Sequence, residues 1–199
     1  MQSKISLKWS VIVLVVAGIT FSFVVIFVVE DLYVNLILPV RNPISQDLRP
    51  SGPRYPAFLV IPKINVSAAI EYVALTSQGV MAVPAGSTST AWFDLGPRPG
   101  EIGSAVIAGH EGWKDGIGAV FDDLNKLRSG DKVYVESMGG ATTTFVVSGT
   151  QIYDQNGDAT DVFSSSDGKA HLNLITCEGT WNAAEKSYSN RLVVFTDKE

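Results

Sequence analysis

Residues 171–179 read HLNLITCEG. Aliphatic and β-branched side chains lead directly into Cys177, the one cysteine of the chain, and Glu178 and Gly179 follow as a strand-breaking pair. This pattern predicts a β-strand with a thiol at its carboxyl end, where the sheet holds the backbone while loop chain leaves the sulfur open. A free cysteine more often fills a core. Cys177 therefore carries chemistry only if other groups meet it.

Working outward from that strand, short β-type runs split by Gly, Pro, Asn and Asp recur at residues 57–61, 66–73, 79–83, 104–109, 132–137, 143–153, 171–176 and 191–196. Eight such strands fit a mostly β fold closed, or nearly closed, into a barrel. In residues 118–127, GAVFDDLNKL, the side chains Val120, Phe121, Leu124 and Leu127 stand at helical spacing, and Gly130 supplies a stop. The expectation there is a short helix covering one barrel end. Residues 154–168, DQNGDATDVFSSSDG, form a polar connection longer than usual just before the cysteine strand, and such loops are often functional or disordered.

The amino end differs in kind. Residues 10–29, SVIVLVVAGITFSFVVIFVV, hold no charge over twenty positions, enough at ~1.5 Å per residue to cross a hydrocarbon core of ~30 Å. Lys4 and Lys8 precede the run while Glu30 and Asp31 follow it, which predicts a cytoplasmic segment 1–9 and an exported remainder. The run is longer than a signal-peptide core and no small-x-small cleavage site follows Val29, so it reads as an uncleaved single-pass anchor in the cell membrane. Residues 30–54 read as a stalk, since residues 41–56 carry four prolines in sixteen positions. The folded, extracellular domain is expected over 55–199.

Composition narrows the function classes. The chain has 199 residues and a formal net charge of −5, without a run of basic side chains, which excludes an electrostatic nucleic-acid binder. One cysteine gives no intramolecular disulfide, and one cysteine with two separated histidines gives no metal cluster of the usual spacing. Neither a G-x-S-x-G elbow nor a phosphate-binding loop is present, and no cofactor is implied.

A thiol is mostly protonated at neutral pH and needs a base or cation beside it. His110 closes the run GSAVIAGH at a predicted strand end, whereas His171 opens the cysteine strand six residues before Cys177. At ~3.3 Å per residue His171 lies about 20 Å from the sulfur and takes a structural role. For an oxyanion, Arg191 in NRLVVFT is fourteen residues after Cys177, and an antiparallel return would bring it to the thiol. Arg98 and Arg128 compete as cations, and a plain surface arginine is the alternative for Arg191.

At this point the residues resemble a known family. LITC, ending in Thr176 and Cys177, looks like the sortase TLxTC signature with Asn173 where that family usually has Thr; SAVIAGH resembles its histidine motif and NRLVVFT its arginine strand. IPKINVSAAI is similar to the family's opening strands, and GVMAVPAG followed by GPRPGEIGSAVIAGH looks closest to the class called F. The resemblance implies an eight-stranded sortase barrel and a thiol transpeptidase. Such an enzyme cleaves an LPxTG-like sorting signal after its threonine and passes the acyl group to an amine of a cell-wall precursor or pilin. By residue match it gives catalytic roles to His110, Cys177 and Arg191, with Thr176 in support. It also suggests substrate contacts at Val162 and Phe163 and a role for Trp181 on the acceptor side. Two other functions stay open: a hydrolytic cysteine peptidase, and an anchored β-domain that only binds.

Overall fold

Alternating apolar and polar side chains become strands here because each pleated ribbon must bury one face, and closing the sheet on itself removes its edges. The computed structural model describes residues 54–113, 116–184 and 187–199. The apolar run 10–29, the segment before it and nearly all of the stalk lie outside the described residues. Strands β1 (Pro56–Ile61), β2 (Val66–Val73), β3 (Thr90–Phe93), β4 (Gly103–Gly109), β5 (Lys132–Ser137), β6 (Thr142–Asp154), β7 (Ala170–Asn182) and β8 (Ser187–Lys198) close into a barrel. Their order around it is β1-β2-β3-β4-β7-β8-β6-β5. The pairs β2–β3 and β4–β7 are parallel.

Period-two alternation sorts the side chains. Leu59, Ile61, Ile70, Trp92, Ile107, Phe145, Leu172, Leu174, Leu192 and Val194 fill the barrel interior. Strand β4 is buried along its whole length because its outer face is covered as well. There Val106 packs with Tyr153, Val162 and Val193 in a second apolar cluster beneath the one-turn helix α1 (Thr160–Phe163). The long polar β6–β7 connection is thus pinned to the outside of the barrel through Val162.

Four expectations are corrected. Residues 79–83 are not a barrel strand: Leu75 and Met81 form an isolated bridge, with Thr76 N–H donating to Val80 O at 2.7 Å and Ala82 N–H to Ala74 O at 3.0 Å. That segment folds on itself, and the barrel position goes to the short strand Thr90–Phe93 instead. The helix expected over 118–127 is a series of turns ending in a 3-10 helix at Leu124–Lys126. Phe121, Leu124 and Leu127, all fully buried, are spaced by three, and the bonds Leu124 N–H to Phe121 O and Leu127 N–H to Leu124 O follow that period. Finally, β7 does not stop at Cys177 but continues to Asn182 through an irregularity between Glu178 and Trp181, and β8 starts four residues before Arg191. Gly179 carries that irregularity at φ +91°, where a Cβ would also strike Ser189 and Asn190.

His171 is stapled between two carboxylates, with Nδ1 at 2.7 Å from Asp197 and Nε2 at 3.0 Å from Asp167. Burial alone disfavours its charge, but the hydrogen bonds to Asp167 and Asp197 outweigh it and raise its pKa, while the bond to His171 lowers that of Asp167. A raised histidine stabilises fully below its ordinary 6.5 and ceases to do so as pH climbs through the folded value; the depressed Asp167 stabilises above its ordinary 3.8. The staple is therefore strongest between those two pH values. Thermal melts of His171→Gln should fall below wild type by about 1–3 °C near pH 5 and converge with it in alkaline buffer; a deficit that grows with pH contradicts the assignment. A second expectation concerns Gly109, whose missing Cβ is what admits the Phe121 ring. Gly109→Ala should cost about 1–3 kcal/mol by overpacking, measured by urea denaturation, and an unchanged midpoint would show that the ring moves freely aside.

Candidate active site

Three adjacent strands of the barrel set the site. Strands β4 and β7 run parallel with Ala108 opposite Ile175. Carried on by two residues, that register sets His110 beside Cys177, and the intervening pair is locked by Thr176 Oγ1 donating to Gly109 O at 2.9 Å. On the other side of β7, Cys177 is directly opposite Arg191 of β8. Neighbours in register project from the same face of a sheet. Thr176, of opposite parity, is buried with the barrel interior, whereas His110, Cys177 and Arg191 share the outer face.

Each group is held separately. The backbone of His110 is fixed by Phe121 N–H donating to its carbonyl at 3.0 Å, which closes the loop between them. Its ring contacts Trp113 edge-on at 4.7 Å between centroids, and Nε2 lies 2.8 Å from Pro84 O. A carbonyl only accepts, so Nε2 bears hydrogen and Nδ1 is the nitrogen left to take up a proton. The Arg191 guanidinium donates to Tyr188 O at 2.9 Å, Asn190 O at 2.8 Å and Ser187 Oγ at 2.9 Å. It is thereby tied to its own strand, at the register position of the thiol.

Burial pushes the Cys177 thiol up, Arg191 draws it down and Glu111 pushes it up again, with a net rise. Glu111 is itself raised, first by burial and then by Glu178 and Asp122, and its Oε2 is buried with no hydrogen-bond partner in the described residues. The resting sulfur is thus a thiol, and a nucleophile forms only by handing its proton to a neighbour.

The second apolar cluster makes the floor beside this row. Asn173 Nδ2 donates to Val162 O at 2.6 Å, and Tyr153 Oη donates to Asp161 at 2.6 Å, so α1 is fastened to the sheet at two points. Val162, an expected substrate contact, is fully buried in this cluster, with no surface left to touch a substrate. Phe163 is 37% exposed and rests edge-on against Phe93 with centroids 5.7 Å apart. Trp181 is half-exposed and stacks edge-on with Tyr188 beyond the cysteine.

The competing cations are occupied elsewhere. Arg98 pairs with Glu101 and lies over the Tyr55 ring, and Arg128 donates to Asn125 O and Leu127 O. Arg98 and Lys198 border a cleft of about 230 Å³ near Gly100, by the opposite ends of β4 and β8, and it contains no member of the row. Sequence reasoning missed Asn173 as the clasp of α1, although its departure from the motif was visible. It also missed the Pro84 carbonyl, which has no side-chain signature.

Residues 59–199 match the family model described as the sortase domain. Among solved structures the chain is similar to sortase A from Corynebacterium diphtheriae, at 21% identity and TM-score 0.57 over 75% of this chain and 62% of that one. It is also similar to sortase C-1 from Actinomyces oris, at 26% identity and TM-score 0.54 over 72% of each chain. A third is sortase C1 from Streptococcus agalactiae, at 24% identity and TM-score 0.56 over 72% of this chain and 66% of that one. No curated protein sequence matches. The chain spans 62% of the length of the diphtherial sortase A. With the barrel, the His110–Cys177–Arg191 row and a family model covering well over half of its residues, the chain belongs to the sortase family.

Proposed function

We propose that this protein is a membrane-anchored cysteine transpeptidase that cleaves an LPxTG-like sorting signal after its threonine and transfers the acyl group to an amine. The single observation that carries the reading is the placement of Cys177 between His110 and Arg191 on three adjacent strands. The uncharged run 10–29 supports a single-pass anchor with the catalytic domain outside the cell. Secreted proteins bearing the signal are the donors, and a peptidoglycan precursor or pilin amine is the acceptor. Enzyme, donor and lipid-linked acceptor then share one surface at high effective concentration.

The chemistry follows from the row. Cys177 Sγ adds to the threonine carbonyl as its proton passes to His110 Nδ1, and the oxyanion forms where Arg191 supplies positive charge. The intermediate collapses, His110 returns its proton to the departing glycine nitrogen, and a thioester remains on Cys177. An incoming amine then loses a proton to His110 and displaces the sulfur. Phe163 offers an exposed apolar surface for the leucine–proline part of the signal, and Trp181 stands on the side where the amine arrives.

The full chain in detergent, given a quenched LPxTG peptide and triglycine, should yield ligated product at a rate that rises with triglycine. Cys177→Ala should abolish turnover, His110→Ala should lower kcat/KM by about 10²–10⁴-fold, and Arg191→Lys by about 10²-fold with the fold intact. Cleavage indifferent to triglycine, without ligated product, assigns a hydrolytic peptidase instead. Full activity in Cys177→Ala ends the proposal.

A further inference from the structure

We propose that Glu71 is a positioning residue that acts on His110 through the Pro84–Ala85 peptide group, in place of a side chain bonded directly to the imidazole. One peptide plane carries both contacts. Its carbonyl, Pro84 O, accepts from His110 Nε2 at 2.8 Å, and its N–H, on Ala85, donates to Glu71 Oε2 at 3.0 Å. The other carboxylate oxygen, Oε1, accepts from Ser89 Oγ. Glu71 sits on β2 and Ser89 immediately precedes β3, so the peptide is clamped between two barrel strands and the histidine.

The arrangement has a direct electrostatic consequence. A carboxylate on the N–H of an amide polarises that amide and makes its carbonyl a stronger acceptor, since bonds in a chain reinforce one another. The carbonyl therefore keeps hydrogen on Nε2, leaves Nδ1 as the nitrogen that takes up a proton and stabilises the ring when it holds a second one. These are the tasks of an orienting carboxylate in a catalytic triad, carried out across one peptide unit. Glu71 touches neither substrate nor sulfur.

Other titratable groups belong to the elements around His110: Cys177 and Glu178 to β7, Arg191 to β8, and Glu111 and Asp122 to the loop after His110. Asp122 is engaged by Gly112 N–H at 2.7 Å and Ala119 N–H at 2.9 Å. Among the described residues, Glu71 is the carboxylate joined to the ring by an unbroken run of hydrogen bonds.

The inference rests on the proposed role of His110, and the test separates the two. Glu71→Gln preserves an acceptor for Ala85 N–H while removing the charge. Imidazole resonances from ¹⁵N-histidine-labelled full chain in micelles, with His171→Gln as background to assign His110, should show the Nε2–H tautomer at high pH. In Glu71→Gln the titration midpoint of that ring should fall by about 0.5–1 pH unit. The acid limb of kcat/KM for peptide ligation should move with it, kcat should drop about tenfold and KM should hardly change. Glu71→Asp should recover part of the loss. An Nδ1–H tautomer in the unsubstituted protein overturns the proposal even if every Glu71 variant misfolds. So does a folded Glu71→Gln whose ring titration and kcat match wild type. Full activity in His110→Ala instead removes the catalytic reading, and the relay with it.

Discussion

The parallel pairing of β4 with β7 is the constraint on which the site depends. Parallel strands in register keep their side chains abreast, so a histidine one residue past the end of β4 stands beside a cysteine in β7 although 67 positions separate the flanking pair Gly109 and Thr176 in sequence. The hydroxyl of Thr176 bonded to Gly109 O fixes that alignment where the strand ladder ends. A slip of one residue would turn either the imidazole or the sulfur into the barrel interior. Gly109 serves the same end, since only a residue without Cβ lets Phe121 plug the barrel against the β4 terminus while its N–H holds His110.

Around that alignment the protein trades nucleophile availability for control. Burial and Glu111 keep the thiol protonated, opposed by Arg191 alone. A sulfur held this way does not react indiscriminately, and in the proposed mechanism it becomes a nucleophile when a substrate carbonyl arrives beside a base that can take the proton. On the same outer face, the cluster of Val106, Tyr153, Val162 and Val193 holds α1 against the sheet. Its two clasps, from Asn173 and Tyr153, come from the strands that also carry Cys177 and pair with Arg191.

Much of this was legible in the residues. Strands β1, β2, β4, β5 and β6 were found nearly to their ends, whereas β7 and β8 run on past the expected bounds, and the antiparallel return that sets Arg191 opposite Cys177 stood in the residues as one reading beside a plain surface arginine. The failures have physical causes. Residues 79–83 have strand-like composition but close a local hairpin, whereas Thr90–Phe93 is short and follows a polar Gly/Ser/Thr stretch, so its partner strands define it rather than its own pattern. Phe121, Leu124 and Leu127 fit both a 3.6-residue and a 3-residue period, and a window this brief does not separate them. Val162 and Phe163 are adjacent, yet one is fully buried and the other partly exposed, a difference decided by Asn173 pulling the Val162 carbonyl onto the sheet. The contact of His110 with Pro84 O is made by backbone, and any residue at position 84 would present the same carbonyl.

The most direct measurement of the central claim is the mass of the intact protein during turnover. Full chain mixed with an LPxTG peptide in the absence of amine should gain the mass of the acyl fragment on Cys177, located by peptide mapping. His110→Ala should accumulate that adduct far more slowly under the same conditions. An adduct forming equally fast without His110, or on a residue other than Cys177, would contradict the account.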